Sequence, residues 1–355
     1  MSTANSFAQS PRETPHTVDS TSSEYYQGLV SQNLAPLWVS LSRLVPEEPK
    51  PKAQAFAWSF ADVFPRLLEA GELISAEQAE RRVLVLENPT LAGQSRITDT
   101  LYAGLQLILP GEVAPAHRHT QSALRFAMHG HGAYTAVNGE RVAMAPGDFI
   151  ITPAWTWHDH GSHADGPVVW LDGLDVPLVS FLHAGFRQQH EETAQSLHRS
   201  EGESLLRYGS GLLRPDDEKT ATSPLFKYSY ERTRAALELI TRREDMDLHR
   251  GYEVCYVNPT TGDTALPTIG ASMRLLPKGF GTRPYRSTDG TVLVCVEGKL
   301  RVSVEGNVFT LTPQDVLAVP GWHLHQIEAE SESVFFSFSD APVHKKLALW
   351  REERQ

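Results

Sequence analysis

Cysteine is nearly absent: 355 residues hold two, Cys255 and Cys295. Two thiols cannot build the framework of a disulfide-stapled secreted domain, so the sequence predicts reduced cysteines in a reducing compartment, the cytoplasm. Long apolar runs are missing too. No stretch reaches the ~20 residues a membrane span requires. The opening MSTANSFAQSPRETPHTVDSTSS has no apolar segment of the secretory type. Basic residues are outnumbered, with 32 Lys and Arg against 43 Asp and Glu, a formal charge of −11. That balance speaks against nucleic acid as a partner. It leaves room for a local positive site that takes a small anion.

What remains is ordinary globular composition, 41% hydrophobic and 21% charged, which excludes a disordered or fibrous chain. The length allows two or three domains. Residues 1–22, rich in Ser and Thr, are expected to form a mobile arm. Residues 23–80 carry helical spacing, interrupted near Pro36 and by the linker PEEPKPK at 46–52. Short alternating strands with Gly and Pro turns fill residues 81–178. A more polar stretch with helices spans 179–250, and strands return over 251–355.

The two strand-rich regions repeat one another. NPT at 88–90 recurs at 258–260, and Gly111 in LPGE corresponds to Gly279 in LPKG. VNGE around Gly139 matches VEGN around Gly306, and PGD at 146–148 matches PQD at 313–315. Pro153 and Trp155 correspond to Pro320 and Trp322. An offset that stays nearly constant identifies a duplicated β-domain. Many short strands predict a sandwich or jelly-roll barrel, hence an all-β core with N-terminal and linker helices.

The chemistry is concentrated in LPGEVAPAHRHTQSALRF, residues 109–126. His117 and His119 are two apart, so on a strand both rings face the same side. His158 follows in PGDFIITPAWTWH. Three imidazoles suit a first-row transition metal and leave positions open, as catalytic rather than structural sites do. His129 and His131 form a second HxH among turn glycines and are expected at a strand end in solvent. His160 shares the parity of His158 and is expected beside the metal or in contact with substrate. In the second repeat Tyr285 and Ser287 stand where His117 and His119 do. Only His325 keeps its place, so that copy is expected to be structural. If the strand stays regular, Arg125 lies on the histidine face. A buried guanidinium needs an anionic partner, either an internal acid such as Asp172 or a substrate carboxylate. A dication on three neutral imidazoles with an arginine nearby favours a chelating, dianionic aromatic acid, with one position left for dioxygen.

The spacing resembles that of the cupin superfamily: Gly111, five residues, His117-Arg118-His119; then Gly147, five residues, Pro153-Ala154-Trp155, two residues, His158. Two departures stand out. Trp155 replaces the usual Gly, and Ala123 and Leu124 occupy the place of the usual Glu. The resemblance implies a bicupin, two double-stranded β-helix (jelly-roll) barrels, with metal only in the first.

Residues 100–161, together with PLW at 36–38, ERR and ENPTL at 80–91 and SDAP at 339–342, closely resemble the gentisate 1,2-dioxygenases. The resemblance implies one Fe(II) per chain on His117, His119 and His158 in the first cupin, and a small aromatic acid and O2 as substrates. The ring would open between the carboxyl- and hydroxyl-bearing carbons to give maleylpyruvate. It also implies a cytoplasmic homotetramer in aromatic catabolism. Carried over by motif position, Arg125 and Arg81 would contact the carboxylate, and Gln106 and His160 substrate or oxygen. Asp172 would orient a basic neighbour, and Tyr102 and Gly104 would shape the ring pocket, Gly104 leaving room beside the ring. Gln106 and Asp172 could instead satisfy the barrel interior, and Arg81 could make a surface salt bridge. Salicylate or 1-hydroxy-2-naphthoate cleavage, a zinc- or manganese-dependent reaction on the same fold, and a non-enzymatic metal- or ligand-binding cupin are the competing readings.

Overall fold

The computed structural model describes residues 20–355. It divides into two compact units at Lys50 and Pro51. In the first unit the described part holds helices Ser20–Ser31 and Leu37–Leu44, broken at Pro36 as the sequence predicts. The arm expected over residues 1–22 lies almost wholly outside the described residues.

The second unit contains the repeat as two antiparallel barrels, each a six-stranded sheet facing a five-stranded one. In the first barrel the six-stranded sheet runs Lys227–Tyr228, Phe149–Thr152, Ala123–His129, Val168–Leu174, Tyr102–Ile108, Val83–Val85. The five-stranded sheet runs Arg187–Gln189, Val113–His119, His158–Ser162, Ala133–Val137, Glu140–Ala143. The second barrel repeats this order with Val316–Val319, Thr291–Glu297, Ser333–Ser339, Gly270–Leu276 and Tyr252–Cys255 in one sheet. Leu300–Val304, His325–Ala329 and Tyr285–Ser287 are at the centre of the other. This is the bicupin architecture expected from the sequence.

The repeat is preserved down to its turns. Asn138-Gly139 and Glu305-Gly306 both have two successive positive φ angles, 48° and 78° against 48° and 81°. That is the type I′ geometry whose twist matches the flanking strands. The register is preserved as well: His117 pairs with His158, and Tyr285 with His325.

The barrels are held together by exchanged segments. Phe56–Trp58, which precedes the first barrel, adds an edge strand to the second through Val316–Val319. Lys227–Tyr228, which precedes the second barrel, pairs with Phe149 and Ile150 of the first. Each segment leads into a helix, Phe60–Leu73 and Tyr230–Thr241. Between the six-stranded sheets, Phe126 stacks on Phe336 with ring centroids 4.3 Å apart. The inner strands of the first barrel's six-stranded sheet are therefore buried on both faces, and the alternation expected of a half-exposed sheet is lost there.

Candidate metal centre

Strand parity and a left-handed turn bring the three histidines together. His117 and His119 project from Val113–His119, and His158 opens the neighbouring strand. Between them the chain turns at Trp155, whose φ is +60° and whose N–H donates to the carbonyl of His119 at 2.7 Å. Few residues other than glycine adopt this conformation readily, which explains the glycine usual at that motif position. Trp322 repeats both features, with φ +63° and a 2.6 Å bond to Ser287 O. The turn thus belongs to the fold and is not peculiar to the metal site.

One nitrogen of each of the three rings lies within 4.8 Å of the others. His119 Nδ1–H donates to Gln121 O and His158 Nδ1–H to Thr156 O, each at 2.9 Å, so the Nε2 lone pairs are free to ligate. His117 Nδ1 is buried with no partner, and its Nε2 lies 3.5 Å from Arg81 Nη2. Burial first, then the nearby arginines, push the rings well below the usual histidine range, His117 to about 2 and His119 to about 4, with His158 also lowered. The imidazoles are neutral at physiological pH, the form that binds a metal. Among the described residues no carboxylate joins them. The donor set fits a divalent transition ion with open positions.

A cavity of about 470 Å³ opens beside the histidines, lined by Arg81, Arg125, Tyr102, Gln106 and Asp172 among others. Arg125 sits opposite Asp172 in adjacent strands, with Nε 3.4 Å from Oδ1. It also donates to Thr152 Oγ1, and its Nη2 meets His160 Nε2 at 3.1 Å. Arg81 has no acid in contact: Nη1 donates to the carbonyls of Glu80 and Pro115 at 2.8 and 2.9 Å. Burial and then the Arg125 charge pull its pKa down to about 9, so it remains a cation at neutral pH. Asp172 is pushed up to about 6 by burial, with Arg125 and Arg81 opposing. The cavity lining thus holds Asp172, paired with Arg125, while Arg81 is acted on at a distance by Asp172, Asp159 and Glu80. Gln106 is 1% exposed and its Nε2 has no partner, leaving a buried donor to satisfy.

Two placements differ from the sequence reading, and a third is narrowed by the structure. His160, expected beside the metal or in contact with substrate, is fully buried next to His158, with ring centroids 5.9 Å apart, and absent from the cavity lining. Arg125 and Trp170 cover it, the latter with ring centroids 5.3 Å away. Parity gives the face of a strand but not the depth at which another side chain covers it. Gly104 does not leave open space: a Cβ there would come within 2.4 Å of Val83 Cγ1 and 3.0 Å of Tyr102 Oη. Its missing side chain is the room those two groups occupy. His129, expected in solvent, packs on Phe64 with centroids 4.8 Å apart, because helix Phe60–Leu73 covers that strand end. His131 is exposed.

The sequence reading missed the strand Arg187–Gln189, which pairs with His117–His119 and carries Phe186 and Arg187 to the cavity mouth. Arg187 there bonds Glu80 at 2.6 Å. A three-residue strand has no periodicity to detect. Thr152, which holds Arg125, carried no signal either.

The Cupin domain family matches residues 104–175. The chain is 48% identical to gentisate 1,2 dioxygenase 1 of Aquipseudomonas alcaligenes, over 93% of this chain and 96% of that protein. It is 38% identical to gentisate 1,2-dioxygenase of a Streptomyces species, over 93% and 95%. A crystal structure of salicylate 1,2-dioxygenase from Pseudoaminobacter salicylatoxidans with gentisate bound superposes with a TM-score of 0.89 at 32% identity, covering 98% of this chain and 96% of that one. Identity of this degree over nearly the full length, joined to a three-histidine cupin site, means that the chain belongs to the gentisate 1,2-dioxygenase family.

Proposed function

We propose that the protein is an Fe(II)-dependent dioxygenase that opens gentisate between its carboxyl- and hydroxyl-bearing carbons to give maleylpyruvate. The observation that carries this reading is the pairing of a carboxylate-free histidine triad with two arginines, Arg81 and Arg125, in a cavity whose lining includes the acid Asp172. Ferrous iron on His117, His119 and His158 would supply Lewis acidity and a path for electrons from an electron-rich ring to O2, which as a triplet reacts slowly with organic molecules.

The chain's own residues do the rest. Arg81, lacking an acid of its own, receives the substrate carboxylate. Arg125, oriented by Asp172, Thr152 and His160, adds a second guanidinium to that anion. Gln106 Nε2 donates to a substrate oxygen and so satisfies its own buried valence. The neutral His160 accepts from Arg125 through Nε2 and keeps its proton on Nδ1, so it acts on substrate through the arginine. Tyr102 and Val83 set the width of the ring slot, in the space that the missing side chain of Gly104 leaves them. Holding both reactants in one site supplies proximity and orientation.

Gentisate is put before salicylate and 1-hydroxy-2-naphthoate because two gentisate enzymes, at 48% and 38% identity, stand above the hydroxynaphthoate enzyme at 33% and the salicylate enzyme at 32%. A para hydroxyl also makes the ring richer in electrons. A cytoplasmic homotetramer is part of the proposal. Its support is the exposed apolar surface of helix Leu37–Leu44, where Leu37, Trp38, Val39 and Leu41 face outward, and two unbridged thiols. The test is O2 consumption with the three acids at equal iron loading. Gentisate should give the highest kcat/KM. A clear preference for salicylate, or full turnover with zinc in place of iron, would overturn the reading.

A further inference from the structure

The second barrel has lost the histidine pair but has not closed. A cavity of about 400 Å³ persists at the position equivalent to the catalytic one, close to the 470 Å³ of the first barrel. A barrel kept only as scaffold would fill its interior with apolar side chains at native density. This one is lined instead by four cations, Arg250, Arg274, Lys345 and Lys346. Arg274 occupies the strand position of Gln106, and Arg250 approaches Tyr285 as Arg81 approaches His117, with Nη2 3.0 Å from Tyr285 Oη.

The acids in and beside this cavity are already engaged, Asp263 with Lys346 Nζ at 3.6 Å. Glu253 Oε1 accepts from Arg274 Nε and from Ser272 Oγ, both at 2.8 Å. Glu352 Oε2 accepts from Arg250 Nη2 at 3.0 Å and from Tyr285 Oη at 2.9 Å. Asp289 accepts from Ser287 and Thr291. The cationic valences are not all used. Arg250 Nε is buried with no partner. Among the described residues, the two terminal nitrogens of Arg274 donate to no oxygen, although Arg274 lines the cavity. His325, equivalent to His158, donates through Nδ1 to His323 O at 3.2 Å, which leaves Nε2 as an acceptor. Leu293, Val319 and Phe338 supply an apolar wall.

A planar fork of donors, a nearby acceptor and an apolar wall match one kind of molecule: a small carboxylic acid with a flat or short hydrocarbon body. We propose that the second barrel binds such a monocarboxylate on Arg274, without metal. The site is separate from the iron site, and the reading does not depend on which aromatic acid the first barrel cleaves.

Benzoate is the probe, because it has the carboxylate and ring but no ortho hydroxyl with which to chelate iron. Binding to the iron-loaded holoenzyme is followed by calorimetry, in wild type, in Arg274→Leu and in Arg81→Met. Arg274→Leu should weaken benzoate at least tenfold and leave turnover in the first barrel intact, which also shows that the variant folds. Arg81→Met should leave this binding event unchanged. Arg274→Gln, which restores the residue type of the first barrel, serves if the leucine variant does not fold, and should show the same loss. Benzoate binding that is undetectable in wild type, unaffected at Arg274, or abolished by Arg81→Met would overturn the proposal, the cavity then holding water alone.

Discussion

Asp315 accepts the backbone N–H of Phe60 at 2.8 Å, across more than two hundred residues of chain, and so closes the start of helix Phe60–Leu73. Asp148 does the same for Tyr230 at 2.9 Å, at the start of Tyr230–Thr241. The two aspartates are equivalent positions of the repeat, and each holds the helix that leads into the other barrel. Each also ties its own turn, Asp315 through Thr312 N at 2.8 Å and Asp148 through Ala145 N at 2.9 Å. Asp315→Ala leaves buried donors unsatisfied and should cost about 2–4 kcal/mol of stability. Asp315→Asn, which keeps an acceptor oxygen, should cost about half as much. Chemical denaturation checks both, and a loss near zero for the alanine variant would show that the exchanged segments are held by the strand Phe56–Trp58 instead.

Arg81 and Arg125 should respond differently to removal. Among the described residues Arg81 bonds two carbonyl oxygens and the His117 ring but no acid, so Arg81→Met strands no carboxylate. It should leave stability nearly unchanged and raise KM about 10- to 100-fold, the worth of one charge-assisted contact. Arg125→Met takes the ion-pair partner from a buried Asp172 and should cost about 3 kcal/mol or more in stability besides the loss in KM. Melting curves and steady-state kinetics on both variants separate the two effects. Equal destabilisation by the two substitutions would sink the distinction.

Much of this site was legible in the sequence because it depends on local rules. The two-residue period places His117 and His119 together, and the repeat offset aligns Tyr285 and Ser287 with them. What was not legible depends on distant pairing. Nothing in the tripeptides at 56–58 or 187–189 says which sheet edge they complete. Parity put His160 on the right face but could not show that Arg125 and Trp170 bury it. It put Gly104 in the pocket but could not show that Val83 fills the space.

Trp155 keeps a strained backbone for a residue with a side chain, and two contacts offset that cost. Its ring packs on Phe186 with centroids 4.5 Å apart, and Arg118 Cζ lies 4.5 Å from the ring centre. Relief of left-handed strain is worth about 1 kcal/mol, and the lost ring contacts about 1–2 kcal/mol. Trp155→Gly should therefore change stability by no more than about 1 kcal/mol. The bond that fixes the turn is made by the backbone, so iron content should stay full. Metal analysis and denaturation of the variant test this. Loss of iron would mean that the indole, not the turn, sets the position of His158.

Asp172 gives the enzyme a pH response that the histidine triad does not share. Burial raises its carboxyl from 3.8 to about 6 against the pull of Arg125 and Arg81. Between those values the folded chain binds a proton that the unfolded chain has released. The ionised form therefore opposes folding above about pH 6, and this penalty fades as pH falls toward 3.8. Activity should run the other way. Below about pH 6 Arg125 loses the charge that orients it, so kcat/KM for the carboxylate substrate should fall. His119 and His117 are lowered to about 4 and about 2, so they stay unprotonated in that range and iron should stay bound. Asp172→Asn should lower kcat/KM at neutral pH and erase the acid limb, while Asp172→Glu should retain one. The profile is measured with iron quantified at each pH. An acid limb that survives in Asp172→Asn, or that follows iron loss step for step, would assign the titration to another group.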